Sequence, residues 1–474
     1  MTEPTTAPTP TPTTVGELRA SGHRPRHLRE EIRENLLARL RDGIDPWPGL
    51  HGFEDTVIPQ VERALIAGHD IMLLGERGQG KTRLLRSLVG LLDEWTPVIE
   101  GSELGEHPFE PIVPASVRRA AELGDDLPVV WRHREERYAE KLATPDTSVA
   151  DLIGDVDPMK VAEGRSLGDP ETIHFGLIPR SHRGIVAINE LPDLAERIQV
   201  GLLNVLEERD VQIRGYKIQL PIDVVLFASA NPEDYTNRGR IITPLKDRFG
   251  SQIRTHYPLD TELEVAIVDQ EARPLAHEAL NVHVPGYMKE IVAEISQLAR
   301  RSPHVNQRSG VSARMSIANY EILVANATRR ALAHDEREVV PRVCDLDALV
   351  ASTAGKVEIE TIDDGREEQV LERIVKASVL ETFRARVRPE HLGALVQAFE
   401  GGLAVNTGED VPSSTYVEVM PELAGLSGVL SDLEVGESPA AVASAVEFVL
   451  EGMHLTKRLN KDAVGGRTTY RGRA

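Results

Sequence analysis

Eight consecutive residues carry the most specific chemistry in this chain: Gly75-Glu76-Arg77-Gly78-Gln79-Gly80-Lys81-Thr82. They fit G-x-x-x-x-G-K-[ST], a loop whose backbone N–H groups, with the N-terminus of a following helix, surround a polyphosphate. Gly78 and Gly80 let the backbone come close to the ligand. Lys81 has the reach for β- and γ-phosphates, and the Thr82 hydroxyl is a hard oxygen suited to Mg2+. A glycine-rich turn can match such a pattern by accident, so the flanks decide. Asp70 to Leu74 reads as a short buried strand entering the loop. Thr82 to Leu92 reads as a helix leaving it, with Leu84, Leu85, Leu88, Leu91 and Leu92 at helical spacing.

A second stretch completes the chemistry. Gly184 to Asn189 (GIVAIN) is an apolar strand that ends in Asn189-Glu190. An apolar strand ending in two acids is the other half of a P-loop hydrolytic site: the first holds Mg2+ through water, the second polarises the attacking water. Here Asn189 takes the first position and Glu190 the second. The Asn carbonyl can still hold a metal-bound water, but without the charge, so weaker Mg2+ binding and slow turnover are expected. The plainer alternative for Glu190 is an acid favoured by a helix dipole. Val224 to Ala230 is a further buried strand ending at Asn231, whose side chain would lie beside the γ-phosphate. A polar strand terminus before Pro232 is the plainer alternative there.

These pieces need a scaffold of helices and strands. Residues 1–14 (MTEPTTAPTPTPTT) cannot form a core and are expected to be disordered. Val15 to about Arg41 and Phe53 to Ala67 read as helices. Thr96 to Pro128 reads as a long excursion with little regular structure, followed by a strand near 127–131. Residues 145–183 are a second irregular, polar stretch, of the kind that is usually functional inside a domain. Leu194 to Glu208 is a helix, 210–220 a hairpin around Gly215, and Gln252 to Tyr257 a strand. From Asp260 the chain is helical: 261–274, 285–301, 312–335, 344–356, 367–386 and about 438–458. The end carries six Lys/Arg against one acid after Leu455, and reads as a solvated, frayed terminus. The domains expected are thus an N-terminal helical segment (15–44), an α/β domain (45–259), a helical domain (260–386) and a helical C-terminal extension (387–474).

Composition sets outer bounds. The chain has 474 residues, a hydrophobic fraction of 41% and a formal net charge of −21. Such a charge repels nucleic acid, and an aromatic content of 4% supplies few bases with a stacking partner. No apolar run approaches the length of a membrane span, and the Thr/Pro-rich start has no apolar core to act as a secretory signal. The single cysteine, Cys344, excludes a disulfide framework and a Cys-rich metal site. A cytoplasmic setting is expected.

Taken in order, the motifs resemble the AAA+ ATPases, and within them the magnesium chelatase small-subunit and MoxR group. GERGQGKT looks like the group's P-loop. DLIGDVDPMKVAEG with FGLIPRSHRGIVAINELPDL is similar to its helix-2 insert leading into the strand with the acidic end. LLNVLEERDVQIRGY looks like its helix and following hairpin, and FASANPEDY with PLKDRFG resembles its sensor 1 and arginine-finger region. The match covers roughly residues 45 to 355. The resemblance implies a P-loop parallel sheet flanked by helices, an all-helical lid and ATP with Mg2+ as ligands. It implies that Asn231 is sensor 1, Arg248 a finger reaching a neighbouring subunit's nucleotide, and Arg314 (early in the 312–335 helix) sensor 2. A pair with Asp247 or another nearby acid is the plainer alternative for Arg248. It also implies a homo-oligomeric ring, expected to be a hexamer, working with a von Willebrand factor A domain partner on a separate chain. No Asp-x-Ser-x-Ser motif of that partner domain occurs here. The expected function is an ATP-driven motor that remodels a client or drives metal insertion. Narrower alternatives are a true magnesium chelatase ATPase subunit and a slowly hydrolysing switch. A DNA-associated regulator is opposed by the charge and by the missing Gly-Ala-Phe-Thr-Gly-Ala loop.

Overall fold

Five short strands make the sheet on which the site rests: β1 (Ile71–Leu74), β2 (Tyr138–Leu142), β3 (Gly184–Asn189), β4 (Val224–Ala230) and β5 (Ser251–Arg254). Their spatial order is β5-β1-β4-β3-β2, and every pairing is parallel. The computed structural model describes residues 9–162, 172–211, 220–231, 240–274, 277–306, 309–359, 367–423, 425–464 and 467–473. It divides into two units, Met1–His256 and Tyr257–Ala474.

The inner strands β3 and β4 are buried at every residue. That is why they read in the sequence as continuous apolar runs: a parallel sheet is covered on both faces. Alternate residues supply the two faces. Ile71, Leu73, Ile185, Ala187, Val225 and Phe227 share one cluster. Met72, Val186, Ile188, Leu226 and Ala228 share another. The first face is covered by α1 (Leu28–Asp42), α2 (Ile58–Ile66) and α3 (Lys81–Ser87), through Leu28, Ile32, Leu36, Val61, Leu65, Leu84 and Leu85. The second is covered by α4 (Glu196–Glu207), through Ile198, Leu202 and Val205. The edge strand β2 has mixed polar and apolar residues, and its Leu142 is exposed.

Several expectations need correction. Residues 12–14, placed in a disordered tail, instead lie against a strand: Thr14 bridges Pro128, and Trp131 Nε1 donates to the Pro12 carbonyl at 2.8 Å. Residues 1–8 lie outside the described part. The region 96–128 is not irregular, because Trp95–Ile99 pairs antiparallel with Val129–His133, and Pro114–Leu123 is a helix. The strand's partner is distant in sequence, and the helix buries no residue, so neither left a local apolar signature. The helix expected over 15–41 is two, Val15–Ala20 and Leu28–Asp42. Of the stretch 145–183, Gly154–Val156 pairs antiparallel with Ile173–Phe175, while 163–171 lie outside the described residues. The hairpin at 210–220 is described only at its base, where Asp210–Val211 meets Leu220–Pro221.

The second unit is built on five long helices: Thr261–Glu271, Gly286–Arg301, Ala313–Ala333, Glu367–Arg386 and Pro439–Leu455. One core runs from Val268 to Tyr470, so it passes without a break through position 386. The basic C-terminal tail is not frayed. Leu459–Val464 and Arg467–Gly472 form a hairpin, and Ala404–Gly408 pairs on its other side. Tyr470 is buried, its hydroxyl donates to Glu451, and Lys461 Nζ donates to the same carboxylate at 2.7 Å. The tail's polar groups have an acid waiting on the central helix, which charge counting alone does not reveal.

Candidate active site

The P-loop sits at the C-terminal end of β1, an inner strand flanked by β5 and β4. Gly75 N–H donates to Ala230 O at 3.0 Å, tying the loop to the end of β4. A Cβ on Gly75 would lie 2.0 Å from Thr255 Oγ1 and 2.2 Å from Gln79 Oε1, so only glycine fits. Those two groups bond each other at 2.8 Å, and Gln79 Oε1 also accepts from Glu76 N–H at 3.1 Å. The loop is therefore closed on itself and pinned to the residue following β5. Gly80 has φ +72°, a left-handed turn that sends the chain into α3. Gly78 is likewise left-handed, and Arg77 is exposed. Lys81 is buried, and its ammonium donates to Gly75 O at 2.5 Å and Glu76 O at 2.7 Å. Its charge is thereby held inside the curl of the loop. Thr82 follows on the first turn of α3, half-buried.

At the end of β3, Asn189 is buried, and its two amide ends are distinguished by their partners. Nδ2 donates to Glu140 Oε1 at 2.7 Å, and Oδ1 accepts from Ser229 Oγ at 3.0 Å. A carboxylate only accepts, so the NH2 must face Glu140. Ser229 Oγ in turn accepts from the Glu190 backbone N–H at 3.3 Å. Glu190 itself has φ 55° and ψ 47°. A left-handed glutamate costs about 1–2 kcal/mol, and such strain gathers at functional positions. Its carbonyl accepts from Asp193 N–H at 2.9 Å, which closes a turn and holds the strained residue.

The register explains why these side chains meet. Glu140, Asn189 and Ser229 all lie on the sheet face covered by α3. From that helix Arg86 reaches Glu140, with Nε to Oε2 at 2.9 Å and Nη2 to Oε1 at 3.3 Å, and Tyr138 Oη donates to Oε2 at 3.3 Å. The bond to Glu140 raises the Arg86 guanidinium above its ordinary value, and burial, with Glu140's charge, pushes the Tyr138 hydroxyl up. Glu140, Ser229, Thr255 and Arg86 were not singled out in the sequence. Ser229 was visible only as a polar break in VVLFASA. Glu140 lies on an edge strand whose pattern is too polar to mark it.

The remaining candidates fall into three groups. Asn231 is buried directly after Ala230, the residue bonded to Gly75, and so belongs with the P-loop. Arg248 ends the helix Thr243–Arg248 and pairs within its own chain: Nε donates to Glu207 Oε2 at 2.6 Å and Nη1 to Pro244 O at 3.0 Å. Arg314 is exposed on the first turn of Ala313–Ala333, in the second unit, where its N–H is capped by Ser312 Oγ at 3.1 Å. The sheet thus brings together Gly75 to Thr82, Asn189, Glu190 and Asn231. A hard cation fits the oxygens here. The Thr82 hydroxyl and the Asn189 carbonyl are donors that Mg2+ takes, and that carbonyl keeps a lone pair beyond the one Ser229 uses. Among the described residues there is no cluster of three or more His, Cys, Asp or Glu that could hold a metal.

Comparison with known proteins finds the following similarities. A family model described as the Sigma-54 interaction domain matches residues 164–248, the part holding Asn189, Glu190, Asn231 and Arg248. The magnesium-chelatase subunit ChlI of Nostoc sp. is 27% identical over 365 residues, which is 73% of this chain and 93% of that protein. The chloroplastic magnesium-chelatase subunit ChlI-2 of Arabidopsis thaliana is 31% identical over 208 residues, 43% of this chain and 46% of that one. Among solved structures, a model of the complex between subunits BchI and BchD of magnesium chelatase covers 69% of this chain and 98% of its own. Its TM-score is 0.37 at 19% identity, a superposition too loose to compare geometry.

Proposed function

Since this chain is an AAA+ ATPase of the magnesium-chelatase group that hydrolyses ATP with Mg2+, we propose that it works as a ring-forming motor, remodelling a client or driving metal insertion. The observation that carries this reading is the convergence of three parallel strand ends on one loop: Gly75 after β1, Asn231 after β4 and the strained Glu190 after β3.

The proposed division of labour follows from the chemistry of each group. Backbone N–H groups from Gly75 to Gly80 cradle the phosphates, and Lys81 neutralises their charge. Thr82 and Asn189 would hold Mg2+, Asn189 through its carbonyl, and the ion would supply positive charge against that developing on the phosphates. Glu190 orients the attacking water and takes its proton. Asn231 holds that water or the γ-phosphate. Arg314 lies in the second unit, and its sensor 2 role comes from the family resemblance alone. Arg248 is assigned to a neighbouring subunit's site, which requires it to leave Glu207. That exchange is inexpensive, because the side chain of Glu207 is 53% exposed and exposed ion pairs contribute about 0–1 kcal/mol.

A ring follows from the trans role of Arg248; the hexameric count and a von Willebrand factor A domain partner come from the family resemblance. The cytoplasm remains the proposed location; among the described residues no helix is long and apolar enough to cross a membrane. Asn189 favours a second reading, a slow nucleotide switch. Direct measurement of ATP hydrolysis separates them. A motor turns over at about 1 s⁻¹ or faster, and Lys81→Ala abolishes it. Turnover orders of magnitude slower, with tight nucleotide binding, selects the switch. A wild-type chain that binds no nucleotide would overturn both.

A further inference from the structure

We propose that Glu140 is a positioning residue of the nucleotide site, supplying through Asn189 the negative charge that this chain lacks at the end of β3. The proposal rests on the ATPase reading and deepens it. Four side- and main-chain groups form one directed chain of hydrogen bonds. Glu190 N–H donates to Ser229 Oγ at 3.3 Å, Ser229 Oγ–H donates to Asn189 Oδ1 at 3.0 Å, and Asn189 Nδ2–H donates to Glu140 Oε1 at 2.7 Å. Each donor points the same way, and the chain ends on a carboxylate. Chains of this kind polarise cooperatively, so the anion at the end makes Asn189 Oδ1 a stronger acceptor than an ordinary amide.

Orientation is the second effect. A buried Asn can present either oxygen or nitrogen to the ligand side. With Glu140 taking the NH2, the amide cannot turn over without setting its oxygen against the Glu140 carboxylate, acceptor against acceptor. Glu140 therefore fixes which end of Asn189 is available. Outer partners that orient ligating groups in this way are commonly worth 10–100-fold in metal affinity. The placement of Arg86 is consistent with this. Thr82 and Arg86 are four residues apart on α3 and so share a face, and Arg86 bonds both oxygens of Glu140. The acid is thus held from the very helix that carries Thr82, with its side chain 22% exposed against 65% for Arg86.

The test uses the full chain and Mn2+ as the probe, followed by electron paramagnetic resonance in the presence of ADP, with ADP affinity in EDTA measured in parallel. Glu140→Gln keeps the shape and can still accept the Asn189 bond, but removes the charge. It should weaken Mn2+ binding about 10-fold or more while leaving metal-free ADP affinity unchanged. Arg86→Gln removes only the ion pair and should leave Mn2+ affinity within about twofold, since exposed pairs contribute little. The double variant Asn189→Asp/Glu140→Gln, which moves the charge onto residue 189, should recover Mn2+ affinity. If Glu140→Gln binds Mn2+ as wild type does, or if Arg86→Gln weakens it equally, Glu140 is only half of a structural ion pair and the proposal is overturned. A wild-type chain that binds no ADP even in EDTA instead overturns the nucleotide reading, and this proposal with it.

Discussion

Restoring the usual acid at residue 189 should harm this protein before it helps. Asn189→Asp replaces an N–H donor by an oxygen 2.7 Å from Glu140 Oε1. Two full charges at that separation repel by about 1.5 kcal/mol at the dielectric of water, and by about 6 kcal/mol at an effective constant of about 20. Glu140 is partly solvated and shares its charge with Arg86, so the lower half of that range applies. The folded chain can relieve the repulsion by binding one proton between the two carboxyls, as closely spaced acids do. The unfolded chain has no such pair and releases that proton at ordinary acidity. The folded variant therefore binds more protons than the unfolded one above about pH 4, and its stability falls as pH rises. For a folding unit the size of Met1–His256, 1 kcal/mol moves the melting point by about 2–4 °C. Thermal melts of wild type and Asn189→Asp at pH 5.5 and 8.5 should show a gap that widens by at least about 3 °C at the higher pH. The double variant with Glu140→Gln should close it. Parallel melting curves for wild type and Asn189→Asp across that range would refute the geometry assigned to this pair.

Other outcomes follow from different parts of the molecule. His107 and His182 are buried and stay neutral when folded, their ring pKa values lowered by desolvation to about 3 and about 4. Because the unfolded chain protonates them first, their contribution is present above about pH 6.5 and is lost as pH falls. The loss is about 2 kcal/mol for each at pH 5. Wild type should melt lower at pH 5 than at pH 7, and His107→Asn should show a shallower slope; identical slopes would contradict the burial argument. If Arg248 acts in trans, Lys81→Ala and Arg248→Ala are each inactive alone but regain hydrolysis when mixed, since a Lys81→Ala subunit still carries Arg248 for its neighbour. A mixture as inactive as its components would assign Arg248 to its own chain's Glu207 instead.

The sheet was legible because burial on two faces leaves unbroken apolar runs: β3 and β4 are found at the residues their sequences mark, Gly184–Asn189 and Val224–Ala230. The P-loop was legible because Lys81 and its glycines are required by backbone geometry. Edge elements were not. β2 reads Tyr-Ala-Glu-Lys-Leu, where half-exposed positions dilute the period, and so Glu140 went unnoticed. The strand at 95–99 depends on a partner thirty or more residues away, a pairing that local pattern does not encode. The C-terminal hairpin was hidden because its lysine and tyrosine meet Glu451, a contact made by the fold. Asn189 shows the same limit at the site itself. Its identity raised the question of a missing charge, while the answer, an acid on the neighbouring strand, needed the register of β2 against β3.

Activation of water by Glu190 is the central step. Single-turnover hydrolysis of ATP, with bound nucleotide measured in the same samples, compares wild type with Glu190→Gln. The variant should bind ATP as tightly as wild type and hydrolyse it about 10²–10⁴-fold more slowly, the range lost with a general base. Undiminished hydrolysis in Glu190→Gln would contradict the assignment of the strained strand end as the place where water is activated.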